Sequence, residues 1–303
     1  MTATQQMVSP VTMGDYFEID SEEVGGKFGI SVTLPMDYAT TDATYPLLYA
    51  TDGNFLGAIT APVALFAMGS SSESAHHTQT VVQVNIGFTL QDVALAGSLR
   101  NRDLIPPGEP VYGGFTRDYL RDHFRLDGNP FAEPVLDAFF AHLEAPQADK
   151  FLAFIENELH PEIQRRYRVQ SEDVGLFGFS FGGLFSLYAL TSGSSLFTRF
   201  GAGSPGILVE DSQVFGLYEK LLSNASAADP KRQLHITLND FEITGPTNIY
   251  RSLGIQTLRF IDLLREKPLP GLDTTVRFVL GEDHGSGIAE SFKSFVRTCY
   301  ALP

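Results

Sequence analysis

Val174-Gly-Leu-Phe-Gly-Phe-Ser-Phe-Gly-Gly183 is the stretch on which the reading of this chain turns. An apolar run of strand length ends in Gly178-Phe-Ser180-Phe-Gly182, and the residues that follow are apolar enough for a buried helix. In that setting Gly-x-Ser-x-Gly is the nucleophile-elbow pattern. The serine sits on a sharp, strained strand-to-helix turn, and side chains two residues to either side of it would collide with the neighbouring strand or helix. The hydroxyl then protrudes at the carboxyl end of a sheet. The amide of Phe181, at a helix N-terminus, faces any negative charge that develops beside the hydroxyl.

Outward from the elbow, the chain alternates strand and helix. Residues 27–34 alternate apolar and polar side chains, as a half-buried antiparallel strand does. Residues 45–51 and 80–86 are mostly apolar and flank a helix-length segment at 56–68, the pattern of a parallel sheet covered on both faces. After the middle, 151–167 reads as helix, 173–179 as strand, 182–190 as helix and 199–202 as a short strand. Strands at 233–238 and 275–280 then bracket a helix at 249–265, and a last helix spans 288–300. This predicts an α/β fold, mostly parallel sheet with helices on both faces, in a single domain over 1–303. Residues 88–147 break the rhythm. That insertion carries Pro106, Pro107, Pro110, Pro130 and Pro134 together with Tyr112, Phe115, Tyr119, Phe124, Phe131, Phe139 and Phe140, which predicts a packed cap over the site.

The 303 residues are 43% hydrophobic and 19% charged, enough to build a large core. With 21 Lys+Arg against 36 Asp+Glu the net charge is −15, a surface that repels phosphate backbones and anionic headgroups, so neither nucleic acid nor membrane is an expected partner. Cys299 is the one cysteine, which rules out an internal disulfide and a zinc-thiolate cluster. The apolar stretch 58–68 contains Thr60 and Pro62 and is shorter than the roughly 18 residues that a membrane span needs. Residues 1–16 lack a basic segment followed by a long apolar run, so no signal peptide and a cytoplasmic location are expected, although a processed mature chain would read alike.

A serine nucleophile needs a base, and on this kind of fold the chain order is serine, acid, histidine. Of seven histidines, His235 and His284 follow the elbow. His235 lies inside an apolar strand and reads as a packed residue. His284 lies in Gly281-Glu-Asp-His-Gly-Ser286, a polar loop after a strand that can carry an imidazole over the sheet edge. The acid, which holds the imidazole in one tautomer and stabilises the imidazolium, is expected after strand 233–238. There Asp240 and Glu242 both qualify.

With these residues in place the chain resembles the esterase D family of α/β-hydrolases, which includes siderophore esterases, S-formylglutathione hydrolases and feruloyl esterases. The similarity runs through Tyr45-Pro-Leu-Leu-Tyr-Ala-Thr-Asp-Gly-Asn54, Arg102-Asp-Leu-Ile-Pro106, Lys150-Phe-Leu-Ala-Phe-Ile155, the elbow and Gly281-Glu-Asp-His-Gly285. The Arg-Asp-Leu block and the Glu-Asp-His-Gly loop place it nearest the siderophore-esterase-like branch. The resemblance implies the α/β-hydrolase fold, Ser180 as nucleophile, His284 as base and Glu242 as acid, with Asp240 as the alternative. It also implies an oxyanion hole from the backbone amides of Asn54 and Phe181; by itself Asp52-Gly53-Asn54 reads as a strand-ending turn.

The expected activity is serine carboxylester hydrolysis through an acyl-enzyme on a small or medium neutral ester with apolar or aromatic groups, without metal or cofactor. The alternatives are a siderophore esterase acting on a catecholate triester and an acyltransferase using the same triad. Arg102 and the cap aromatics Tyr112, Phe115 and Tyr119 are the expected substrate contacts, with Arg100 a second cation nearby. The partner is a small-molecule ester, and homo-oligomerisation is left open.

Overall fold

The structure, a computed structural model, describes residues 14–68, 77–123, 125–126, 129–226 and 230–302. Phe124 of the predicted cap and the first thirteen residues of the N-terminal reading lie outside the described residues. In chain order the elements are β1 (Gly14–Ser21), β2 (Gly26–Thr33), β3 (Tyr45–Ala50), α1 (Gly53–Met68), β4 (Val82–Phe88), α2 (Ala96–Leu104) and α3 (Arg117–His123). A two-residue pair, β5 (Arg125–Leu126) and β6 (Asn129–Pro130), precedes α4 (Glu133–Glu144) and α5 (Ala148–Phe154). A π-helical turn, Ile155–Leu159, joins α5 to α6 (His160–Arg166). Then come β7 (Val169–Phe179), α7 (Phe181–Thr191), β8 (Arg199–Gly203), α8 (Gln213–Asn224), β9 (Arg232–Asn239), α9 (Phe241–Thr244), α10 (Asn248–Glu266), β10 (Leu272–Val279) and α11 (Ile288–Cys299).

Among the described residues one eight-stranded sheet runs β1-β2-β4-β3-β7-β8-β9-β10. β1, β2 and β4 pair antiparallel, and every pairing from β4 through β10 is parallel. Every residue of β3 and β4 is buried, because both faces of the sheet centre are covered. On one face Leu48, Phe177, Phe292, Phe295 and Tyr300 pack with Leu56 and Ala64 of α1. On the other a larger cluster joins Tyr49, Leu176 and Leu234 to Phe151, Phe185 and Tyr218. This is the α/β-hydrolase architecture expected from the sequence. β1 was not anticipated: Asp15, Glu18 and Asp20 interrupt its apolar pattern, which an edge strand paired on one side tolerates.

The insertion contributes α2, α3, the β5–β6 pair and α4, and its apolar residues enter the larger core. Phe115, Leu120, Leu136 and Phe139 are buried there, with Phe115 edge-on to Phe139 at 5.8 Å and to Phe181 of the elbow at 6.4 Å. Part of the cap is therefore core, anchored directly on the first residue of α7.

His235 is buried in β9, as its apolar strand implied. Its ring nitrogens meet Thr275 Oγ1 at 2.7 Å and Ser294 Oγ at 2.8 Å. Burial, with Arg277 adding repulsion, pushes its pKa down from 6.5 to about 4. The folded state thus resists a proton that the unfolded chain accepts, so stability from this group is complete above 6.5 and erodes as the pH falls towards 4. The full effect is about 3 kcal/mol. Urea midpoints at pH 7 and pH 4.5 should separate more for the native chain than for His235→Gln; equal separations would assign the acid sensitivity elsewhere.

Candidate active site

Five adjacent parallel strands deliver the site at their carboxyl ends. β7 ends at Phe179, and Ser180 follows with φ 59° and ψ −122°, a conformation that L-residues avoid. The flanking glycines permit it. A Cβ on Gly178 would stand 2.1 Å from the Gly182 carbonyl oxygen, and one on Gly182 would stand 2.3 Å from Thr51 Oγ1. The Ser180 amide donates to Gly203 O at 2.9 Å and its carbonyl accepts from Gly206 N at 2.7 Å, fastening the turn to the end of β8.

The loop after β10 carries His284. Asp240 Oδ1 accepts from the Gly281 and Glu282 amides at 2.9 and 3.3 Å, and Asp283 Oδ1 accepts from the Gly285 and Ser286 amides at 2.8 and 2.9 Å. The Ser286 and Gly285 amides hold the Asp283 carboxyl below the usual range. His284 Nδ1 lies 2.6 Å from Glu242 Oε1. A carboxylate oxygen accepts there, so Nδ1 is the nitrogen that donates.

Glu242 has no exposed surface, and its oxygens are filled by donors. Oε2 accepts from Ser204 Oγ and the Asn239 amide, both at 2.8 Å, and Oε1 accepts from Asn239 Nδ2 at 3.2 Å besides the imidazole. Of the two candidate acids, Glu242 is the one brought to the imidazole, whereas Asp240 pins the loop that carries it. Asn239 is a strut here: Nδ2 also reaches Asp283 O at 2.9 Å. A Cβ on Gly287 would lie 2.2 Å from Asn239 Oδ1, so the two positions fit as a pair.

Ser180 and His284 line a common cavity of about 230 Å³ with Phe115, Phe131, Phe139 and Leu208 among its walls. Ser180 is not hydrogen-bonded to the imidazole, a frequent state of resting hydrolases. Phe181, the first residue of α7, and Asn54, in the first turn of α1, both have amides without intrahelical partners. The Asn54 side chain clasps the Phe88 backbone, Nδ2 to O at 2.9 Å and Oδ1 from N at 2.5 Å, and Asn54 lines neither this cavity nor its neighbour.

Of the expected substrate contacts, Phe115 lines the cavity. Tyr112 stands behind it, edge-on at 5.6 Å, and Tyr119 stacks on His123 at 4.4 Å. Arg102 is turned away and chelates Asp103 at 2.7 and 3.1 Å, while Arg100 faces Ser180. Residues two apart on a helix point to different sides, so only one of the pair can reach the site. Arg100 holds Asp52 at 2.8 and 2.9 Å, a buried pair at the end of β3. Sequence reading missed Tyr250, whose ring stacks on the imidazole at 4.5 Å and 22°, and Ser204. Burial raises the Tyr250 phenol, with Tyr119, Asp283 and Glu242 adding to it. No spacing in the chain marks Tyr250; the strand end after residue 203 is the one signal for Ser204.

The family model described as "Putative esterase" matches residues 132–240. The chain is 29% identical over 205 residues to a siderophore triacetylfusarinine C esterase of Aspergillus fumigatus, covering 65% of this chain and 57% of that protein, less than two thirds of its length. It is 29% identical over 244 residues to a siderophore enterobactin esterase of Emericella nidulans, covering 76% and 73%. The solved siderophore hydrolase EstB from Aspergillus nidulans superposes with a TM-score of 0.72 at 21% identity over 97% or more of each chain, which bears out the fold. Together these findings bear out the resemblance to esterases on the siderophore-esterase-like side and the α/β-hydrolase fold.

Separate removal of the two carboxyls distinguishes their parts. Glu242→Gln should lower kcat on a nitrophenyl ester by about 10⁴-fold, the scale seen when a triad acid is neutralised. Asp240→Ala, which only loosens the loop, should cost no more than about 10²-fold. Equal small losses would place the acid elsewhere.

Proposed function

We propose that the chain is a serine carboxylester hydrolase, and the contact that carries this reading is Glu242 to His284 at 2.6 Å beside a serine on a strained elbow. His284 Nε2 takes the Ser180 proton as Oγ attacks the ester carbonyl, and the tetrahedral oxyanion is met by the amides of Phe181 and Asn54. These amides open α7 and α1, the helices that follow the neighbouring strands β7 and β3. The imidazolium then protonates the departing alcohol, and water, deprotonated by the same ring, releases the acid from the acyl-enzyme.

The apolar cavity walls support an ester with apolar or aromatic groups. A second reading, cleavage of a siderophore ester, is supported by the names of the curated relatives. A panel of alkyl and aryl esters with a cyclic catecholate triester decides between them through kcat/KM. Ser180→Ala should lower turnover of the best substrate by about 10⁶-fold and abolish labelling by an organophosphonate. Retention of most activity in that variant would overturn the mechanism.

A further inference from the structure

The reacting pair stands between two cavities. Besides the enclosed one of about 230 Å³, a more open one of about 290 Å³ lies on the other side, walled by Asp52, Phe55, Leu56, Gly285 and Ile288. The residues common to both are Arg100, Ser180 and His284, so the two lobes meet at the point of attack. An ester has two halves, and one carbonyl carbon bonded to Ser180 Oγ must send them in different directions.

We infer that the enclosed lobe binds the acyl half and the open lobe binds the alcohol half, so that the chain favours esters of a compact apolar or aromatic acid with a larger alcohol. This assignment rests on the serine-hydrolase reading above. In acylation the Oγ–C bond forms, the C–O bond to the alcohol breaks, and the alcohol leaves with the proton that His284 took from Ser180. In deacylation the oxygen of a water takes the place that the alcohol oxygen left, gives a proton to His284 and bonds to the same carbon; the C–Oγ bond then breaks, and Ser180 Oγ takes that proton back as the acid leaves. The lobe that held the alcohol must therefore empty and refill from solvent while the acyl group stays attached, and the open lobe is the one built for that exchange.

Both lobes have largely apolar walls, and they differ in how open they are. Phe115, Phe131, Phe139, Leu208 and Leu253 give the enclosed lobe a nearly continuous apolar lining. Its volume equals that of about eight water molecules in the liquid, which suits an aryl or medium-chain acyl group. The open lobe sets Phe55, half exposed at 50%, on its rim. A ring left in water beside a serine on an elbow is a platform for part of a large alcohol that extends beyond the protein.

Two ester series test the division, nitrophenyl esters from acetyl to decanoyl and butyrates of alcohols from ethanol to naphthol. Leu253→Phe, which fills the enclosed lobe, should lower the decanoyl-to-acetyl ratio of kcat/KM at least about tenfold. Phe131→Ala, which enlarges the same lobe, should raise that ratio, and neither should move the naphthyl-to-ethyl ratio beyond about twofold. Phe55→Ala should lower the naphthyl-to-ethyl ratio and leave the acyl series in order. The opposite pattern, or both ratios moving together in any one variant, overturns the assignment while leaving the mechanism intact, because Ser180 still takes an organophosphonate label. Failure of every ester together with failure of that label overturns the mechanism and the assignment with it.

Discussion

A carboxyl group buried without any solvent contact needs hydrogen-bond donors at both oxygens, and the position of Glu242 imposes that need on three strand ends. Ser204 after β8 and Asn239 at the end of β9 supply three of the donors, and the imidazole carried beyond β10 supplies the fourth. Because Asn239 also holds Asp283 O, its single side chain fixes both the acid and the loop of the base. Removing any one donor leaves one of the two oxygens with a single partner. The arrangement is thus stiff for reasons of solvation, and stiffness at this point holds the His284 ring in the cavity that Ser180 also lines.

Backbone strain is concentrated in the same place. Among the described residues the non-glycine positions with left-handed φ are Asp52 at 54°, Ser180 at 59° and Ser204 at 36°. They follow β3, β7 and β8, which are neighbours in the sheet. Each strained residue is held by hydrogen bonds: Asp52 by Arg100, Ser180 by Gly203 and Gly206, Ser204 by Glu242. Strain of this kind persists only where surrounding contacts over-determine it. The core beneath those strands, with Tyr49, Phe177 and Phe200 fully buried, supplies that rigidity.

The sheet and the elbow were legible because they depend on local signals: apolar runs of strand length, helical spacing and glycines where a Cβ has no room. The placement of His284 beside Ser180 was legible for a similar reason, since a glycine-rich loop after a late strand can carry a side chain over the sheet edge. Glu242 and Asp240 lie two residues apart and share one composition, so only the three-dimensional turn of α9 separates the acid from the loop anchor. Arg100 and Arg102 posed the same problem on α2, where helix phase decides which guanidinium reaches the cavity. Tyr250 was invisible because its contact with His284 joins two helix-and-loop segments whose approach is set by the packing of α10, and nothing in its neighbours distinguishes it from an ordinary half-buried aromatic.

The charge of the chain acquires a sharper meaning once the cavity walls are known. A net −15 raises the local potential against anions, and a site that handled them would need uncompensated positive charge at its centre. Arg100 is the one lysine or arginine among the residues lining the two lobes, and both its Nε and Nη2 are committed to Asp52. The pair is neutral as a unit, so it adds shape and hydrogen-bonding capacity to the waist between the lobes without offsetting the field of the protein. The lining thus offers apolar contact and no free cation among its lysines and arginines, which supports the proposal of an uncharged ester.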